Sequence, residues 1–283
     1  MRTTLRTHAV GSDTARGLLM TVMGEYLLPS GGRAWTSNFI DVMDRLDVEP
    51  GTTRQALART QAAGWLTSER AGRHSRWQLT PDGERLLTEG TKRIYEFAGP
   101  PADWDRRWLV VLASVPERDR AARHLLRNRL RWAGMGSPAP RVWVGTDVSR
   151  KSEVEEALEM GGVADSAQVF VAEHLDDARV AMMVQQAWDL GTIGEEYERF
   201  IARFSSTKAP DPLRRLIELV HAWRRFPWRD PGLPGRLVPR GWKGARAAAL
   251  FHDRHARWSP GATEEWERIS SGPHPALANG GPD

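Results

Sequence analysis

The sequence has no cysteine, only three tyrosines and only four lysines in 283 residues, and these shortages exclude several chemistries. Without Cys there is no disulfide, no thiolate metal ligand and no cysteine nucleophile, so a redox compartment leaves no mark on the chain. Long hydrophobic runs are also missing: the longest clearly apolar stretch, 109–115, is far too short to span a bilayer. The first twenty residues carry Arg2, Arg6, Asp13 and Arg16 and lack an apolar segment ending in a small-residue cleavage site. A cytoplasmic chain is the expectation. There is no G-x-S-x-G, no G-x-G-x-x-G and no G-x-x-x-x-G-K, and Gly134-Met135-Gly136 runs into Ser137-Pro138 and opens no helix.

What remains is an ordinary soluble composition, 40% hydrophobic and 27% charged, long enough for two or three domains. The formal charge of +4 hides an uneven distribution. Residues 1–95 hold 13 cationic and 10 anionic side chains, residues 96–207 hold 14 and 18, and residues 208–283 hold 13 and 8. Of the cations 36 are Arg, which suits planar contacts to phosphate or carboxylate; a GC-rich genome would give the same count.

Two Pro-bearing stretches, Gly99-Pro100-Pro101-Ala102-Asp103 and 205–212, read as linkers. They divide the chain into domains at 1–98, 106–204 and 210–269, with a Gly/Pro-rich tail over 270–283 expected to be disordered. In the first part, Leu18, Leu19, Val22, Met23, Tyr26 and Leu27 recur at helical spacing until Pro29-Ser30-Gly31-Gly32. A second helix opens at Thr36 or Ser37, and a third covers about 52–63 with Ala56, Leu57 and Thr60 inward. Two strands, 65–70 and 73–79, flank Ala71-Gly72, and Thr80-Pro81 starts another helix. Helix, helix, helix, hairpin, helix is the order of a winged helix-turn-helix.

The second part alternates strand and helix: strands at 108–115, 141–148 and 167–174, helices at 117–133 and 153–160, then a helical run through Phe204. That pattern predicts a ferredoxin-like α/β sandwich, so the fold class is α+β. The third part has a helical stripe of Leu213, Leu216, Ile217, Val220 and Trp223, a rigid Pro-punctuated loop over 226–234, and a last helix around Leu250, Phe251 and Trp258.

The window 52–76 contains five arginines and a single acid, Glu69. The second helix of a helix-turn-helix places its N-terminal residues at base edges in the major groove, which selects Thr52, Thr53, Arg54, Gln55 and Arg59. Arg pairs with guanine and Gln with adenine through two hydrogen bonds. Arg70, Arg73, His74 and Arg76 stand at the wing, where phosphate or minor-groove contact positions such a domain. A winged helix is also a protein-docking module, which leaves an adaptor as an alternative.

Elsewhere, Arg120, Arg123, Arg127 and Arg131 share one helix face, fit for phosphates or simply solvated. Trp223, Arg224, Arg225, Trp228 and Arg229 interleave aromatic and guanidinium groups, suited to a ligand with an aromatic ring and phosphates; a core-pinned loop has the same composition. His252 and His255 lack a third ligand, so no metal, no cofactor and no catalytic residue is expected.

Residues 17–79, notably Gly17-Leu18-Leu19-Met20-Thr21-Val22-Met23-Gly24-Glu25-Tyr26, Trp35-Thr36, Thr53-Arg54-Gln55-Ala56-Leu57-Ala58-Arg59 and Gly64-Trp65-Leu66-Thr67-Ser68-Glu69-Arg70, resemble the PaaX family of bacterial repressors of phenylacetic acid catabolism. Trp108-Leu109-Val110-Val111, Arg225-Phe226-Pro227-Trp228-Arg229-Asp230-Pro231-Gly232-Leu233-Pro234 and Gly241-Trp242 extend the resemblance over nearly the whole chain. It implies a homodimeric winged-helix repressor binding a double-stranded operator, with a middle domain like that of a small CRISPR-adaptation nuclease and a helical C-terminal domain. It also implies release by an aryl-CoA thioester such as phenylacetyl-CoA. In the nuclease relatives an Asp ends the first strand and binds metal; Ala113-Ser114 stand there in this chain, which argues against the remaining alternative, a metal-dependent nuclease.

Overall fold

The computed structural model describes residues 14–97, 104–115, 119–174 and 176–272. The linker Gly99-Pro100-Pro101-Ala102-Asp103, the helix start at residue 117 and the tail from 273 lie outside the described residues. In chain order the main elements are α1 (Ala15–Val22), β1 (Arg33–Trp35), α2 (Thr36–Asp44), α3 (Pro50–Ala62), β2 (Leu66–Ala71), β3 (His74–Leu79) and α4 (Pro81–Glu96). There follow β4 (Arg107–Leu112), α5 (Arg120–Trp132), β5 (Gly136–Ala139), β6 (Val142–Gly145), α6 (Lys151–Met160), β7 (Gln168–Glu173), α7 (Asp177–Ala187) and α8 (Leu190–Phe204). The chain continues with α9 (Pro212–Trp223), the single turn α10 (Phe226–Arg229) and α11 (Gly244–Ser270).

These elements sort into two units: Met1–Glu96 with Arg203–Arg225 and Ala249–Asp283, and Phe97–Ala202 with Phe226–Ala248. The segment expected to stand as one helical domain, 210–269, is therefore divided between them. Hydrophobic burial is the reason in the first unit. Leu19 and Val22 of α1 are fully buried, as are Leu213, Ile217 and Leu219 of α9, which packs on α1. Two amphipathic helices far apart in sequence bury their apolar faces on one another.

In that unit Thr14 caps α1, accepting from Gly17 N at 3.2 Å. The helix runs on as a wider turn over Met23–Leu27 and stops at Gly31 and Gly32, whose φ of 80° and 74° favour glycine. The sheet order is β1-β3-β2, all antiparallel. Strand β1 has no apolar run to announce it; it exists because Arg33 to Trp35 pair with Gln78 to Arg76. Gly83 is required in α4, because a Cβ there would meet Trp65 O at 2.2 Å.

In the second unit the sheet order β5-β6-β4-β7, antiparallel throughout, with α5 between β4 and β5 and α6 between β6 and β7, is the ferredoxin-like arrangement. Leu109 and Val111 of β4 pack with Leu126 and Leu130 of α5 and Val154 and Leu158 of α6. Strand β5 was not expected: Gly-Ser-Pro-Ala has no alternation, and it forms because Gly136 lets its backbone lie against α7, where a Cβ would meet the Trp188 ring at 2.5 Å. Leu112 and Phe170, on the sheet face away from the helices, are 42% and 48% exposed. Among the described residues no helix is long and apolar enough to cross a membrane.

Glu218 of α9 collects Arg203, Arg214 and Arg215 at 3.1–3.2 Å. Burial raises its carboxyl, but the three guanidinium groups outweigh that and hold it below the ordinary value of 4.5. A lowered carboxyl stabilises the fold fully above its unfolded pKa and loses that contribution as pH falls through the folded one. We expect the acid limb of stability, followed by circular dichroism below about pH 4.5, to be flatter in Glu218→Gln, which should also be less stable than the parent at pH 7.

Candidate nucleic-acid interface

Between α2 and α3 the chain turns in five residues. Leu46 and Val48 both donate their backbone N–H to Met43 O at 3.0 Å, and Asp47 takes a φ of 61°. Asp tolerates the left-handed region better than most residues with a Cβ. Its carboxylate accepts from Arg214 Nη2 at 2.7 Å, and that hydrogen bond and charge hold the carboxyl below its usual range. Arg214 Nη1 also donates to Arg45 O at 2.7 Å, so α9 holds the turn from outside. Pro50 then supplies the first helical position, where its missing N–H costs nothing.

Helical periodicity divides α3 into two faces. Thr53, Ala56, Leu57 and Thr60 are buried, with Thr60 Oγ1 donating to Ala56 O at 2.8 Å and Thr53 Oγ1 to Glu49 O at 3.3 Å. Thr53 is thus part of the helix seat, and the expectation that it reaches a base edge is corrected: it falls in register with 56, 57 and 60. Thr52, Arg54, Gln55 and Arg59 are exposed, separated by the small exposed residues Gly51, Ala58 and Ala62. Long polar side chains on a ridge of small ones suit close approach to a groove.

One cation beside this face was not singled out from the sequence. Arg16 of α1 lies over the Trp65 ring at 4.8 Å, its Nε buried without a partner. Burial, and then the charge of Arg59, lower its pKa. Nothing in residues 14–17 marks Arg16 in advance; only the fold brings it to Arg59.

The wing is a two-residue hairpin, Ala71 opposite His74, with Gly72 at φ 61° and Arg73 at the tip. It is tied to the start of α2: Trp77 Nε1 donates to Thr36 Oγ1 at 2.9 Å, and Thr36 Oγ1 donates to Ser75 O at 3.1 Å. His74 meets Trp35 edge-on at 6.4 Å. Arg70, Arg73 and His74 are exposed, whereas Arg76 is half-buried and faces Glu69 across the strands, 3.7 Å away.

The residues expected to hold an effector do not lie together. Trp223 is fully buried, stacked on Phe251 at 4.9 Å with its N–H donated to Ile94 O at 3.1 Å. Arg224 is 3% exposed and donates to Gly17 O at 2.6 Å and Thr21 Oγ1 at 2.8 Å; burial lowers its pKa to about 10. Both are corrected from ligand contacts to interior residues of the first unit, because the α9 stripe continues through them. Arg225 is half-buried in the same unit. Trp228 and Arg229 belong to the second unit, where half-buried Trp228 packs on Trp132 and Arg229 pairs with Glu196.

His255 lies between Tyr95, 2.7 Å from its Nε2, and Glu25, 3.3 Å away, while His252 is exposed. Among the described residues no group of three or more His, Asp or Glu is placed to hold a metal ion. Ala113, at the end of β4, is buried against the α5 side of the sheet.

Comparison with known proteins covers the chain in three pieces. Residues 14–83 match the family model described as PaaX-like protein, 101–184 the PaaX protein central Cas2-like domain, and 188–268 the PaaX-like protein C-terminal domain. The transcriptional repressor PaaX of Escherichia coli (strain K12) is 30% identical over 271 residues, 90% of this chain and 84% of that one. A solved structure of an uncharacterized protein from Mycobacterium tuberculosis shares the fold, with a TM-score of 0.57 and 23% identity over 91% of this chain and 99% of that one.

Proposed function

The chain belongs to the PaaX family, and on that premise we propose that it is a transcriptional repressor that binds double-stranded operator DNA through α3 and the wing and performs no catalysis. The observation that carries this reading is the outward face of α3: Thr52, Arg54, Gln55 and Arg59 exposed together, no acid on the helix, and the cations of the wing tip on the adjoining hairpin. Thr52, Arg54, Gln55 and Arg59 read base edges; Arg70, Arg73 and His74 meet the backbone and fix register.

The reading extends to a homodimer and an effector. A dimer presents two recognition helices, and the open face of the central sheet, with Leu112 and Phe170 exposed, supports self-association there. The effector is an aryl-CoA thioester of the phenylacetyl-CoA type, as the family resemblance suggests, and the controlled genes are those of aromatic-acid catabolism in the cytoplasm. With Trp223 and Arg224 inside the first unit, the indole pair Trp132 and Trp228 is the aromatic surface that supports it. Such a ligand releases DNA by binding the DNA-incompetent arrangement more tightly.

Operator binding followed by fluorescence anisotropy tests the DNA half. Arg54→Ala should cost about 1–3 kcal/mol at one base pair of each half-site and relax preference there, while Arg73→Ala should weaken all sequences alike and lower the salt slope by about 0.9 per bound protomer. If both bind as the parent does, the assignment of α3 and the wing is wrong. In sedimentation the parent should run as a dimer that Phe170→Glu splits; a monomeric parent removes the dimer. A phenylacetyl-CoA titration should raise the thermal midpoint, by the equivalent of about 2.7 kcal/mol at a hundredfold excess over Kd, and Trp228→Ala should abolish the rise. No response to any aryl-CoA would remove the effector and leave the DNA reading standing.

A further inference from the structure

Several arginines on the helices of this protein have a carboxylate beside them. Arg214 and Arg215 share Glu218 on α9, Arg268 pairs with Glu265 on α11, Arg85 with Asp82 on α4, and Arg179 with Asp176 at the start of α7. Among the described residues, α3 and α5 are the helices that carry more than one arginine and no acid. For α3 the functional reading accounts for this. For α5 it does not.

On α5, Arg120, Arg127 and Arg131 are exposed and fall within about 40° of arc at 3.6 residues per turn. None of the three has an ion pair or hydrogen bond to a described acid, although the neighbouring α6 carries Glu153, Glu155, Glu156 and Glu159. Like charges one turn apart oppose one another, and partial burial together with Arg127 lowers the pKa of Arg131. A helix surface shaped only for solvation would alternate sign, as α9 does. The row spans about 16 Å at 1.5 Å per residue, long enough to meet more than one phosphate of a B-DNA strand. It is convex and linear, which fits a nucleic-acid backbone and not the enclosed seat that a small anion needs.

We propose that the row Arg120, Arg127 and Arg131 on α5 is a second DNA contact, made by the central unit with the phosphate backbone and indifferent to sequence. The proposal rests on the repressor reading. It gives the protein an affinity for duplex DNA in general that α3 does not supply, with specificity left to the winged helix.

The test is full-length Arg120→Gln/Arg127→Gln/Arg131→Gln against its triple Lys counterpart and the parent, each titrated onto operator and onto unrelated duplex at several salt concentrations. The Gln variant should lose about 2.7 from the salt slope per bound protomer, at about 0.9 per phosphate contact. Its ratio of operator to unrelated affinity should be unchanged, and the Lys variant should keep the parent slope. Its thermal midpoint should be no lower than the parent's, since the substitution removes repulsion. A Gln variant with the parent slope overturns the proposal while the repressor reading stands. So does a variant that keeps the DNA slope but loses binding of coenzyme A, which would assign the row to a ligand's phosphates. A parent with no salt-dependent DNA binding overturns the repressor reading, and the proposal with it.

Discussion

The structure depends on one buried cation. Arg224, almost wholly removed from water, donates to Gly17 O and Thr21 Oγ1 of α1, while its neighbour Trp223 stacks on Phe251 of α11 and donates to Ile94 O of α4. A buried guanidinium is costly to desolvate, and removing its partners costs more than removing the pair, so such a group specifies one arrangement. Here that arrangement ties the end of α9 to both ends of the N-terminal segment. The helix-turn-helix is therefore seated on residues that lie more than a hundred positions further along the chain. Arg45 with Glu265, Asn38 Nδ2 donating to Ile269 O at 2.9 Å, and Tyr26 stacked on Trp266 at 5.3 Å repeat the same link from α11.

Local chemistry was legible wherever a side chain's role is set by its near neighbours. The 3.6-residue rhythm placed α1, α2, α9 and the seat of α3; Thr80-Pro81 and the glycines at 31, 32 and 72 marked where the backbone turns. The strands carried by Trp108, Leu109, Val111 and Val169 announced themselves by burial. Strands β1 and β5 did not, because each exists through its partner: three residues paired to β3, and a Gly-Ser-Pro-Ala segment laid against α7. The division of 210–269 between two units was equally silent, since an amphipathic helix records that it has a buried face and not whose core receives it.

The candidate site was legible in part for the same reason. Exposed Arg54, Gln55 and Arg59 follow from helical phase, and the same phase should have excluded Thr53. The Trp and Arg residues around 223–229 share a composition but not an environment. Trp223 and Arg224 still belong to the α9 stripe, and Trp228 and Arg229 lie beyond it, so reading them as one cluster merged a packing motif with a surface one. Arginine count alone was equally ambiguous. The informative quantity is whether a helix carries any acid among its arginines, and that distinguishes α3 and α5 from α9 and α11.

The discontinuity of the first unit bears on how the protein is made. A winged helix encoded entirely in the first hundred residues would be complete while the rest of the chain was still being synthesised. This one closes only when α9 and then the last turns of α11 have been added, because Leu19, Val22 and Tyr26 find their cover there. Contacts of such long sequence separation form late, after the loop entropy of the intervening chain has been overcome. The nascent polypeptide thus carries the apolar face of α1 and the ring of Tyr26 uncovered through most of translation, a stretch of hydrophobic surface that only the last third of the chain closes.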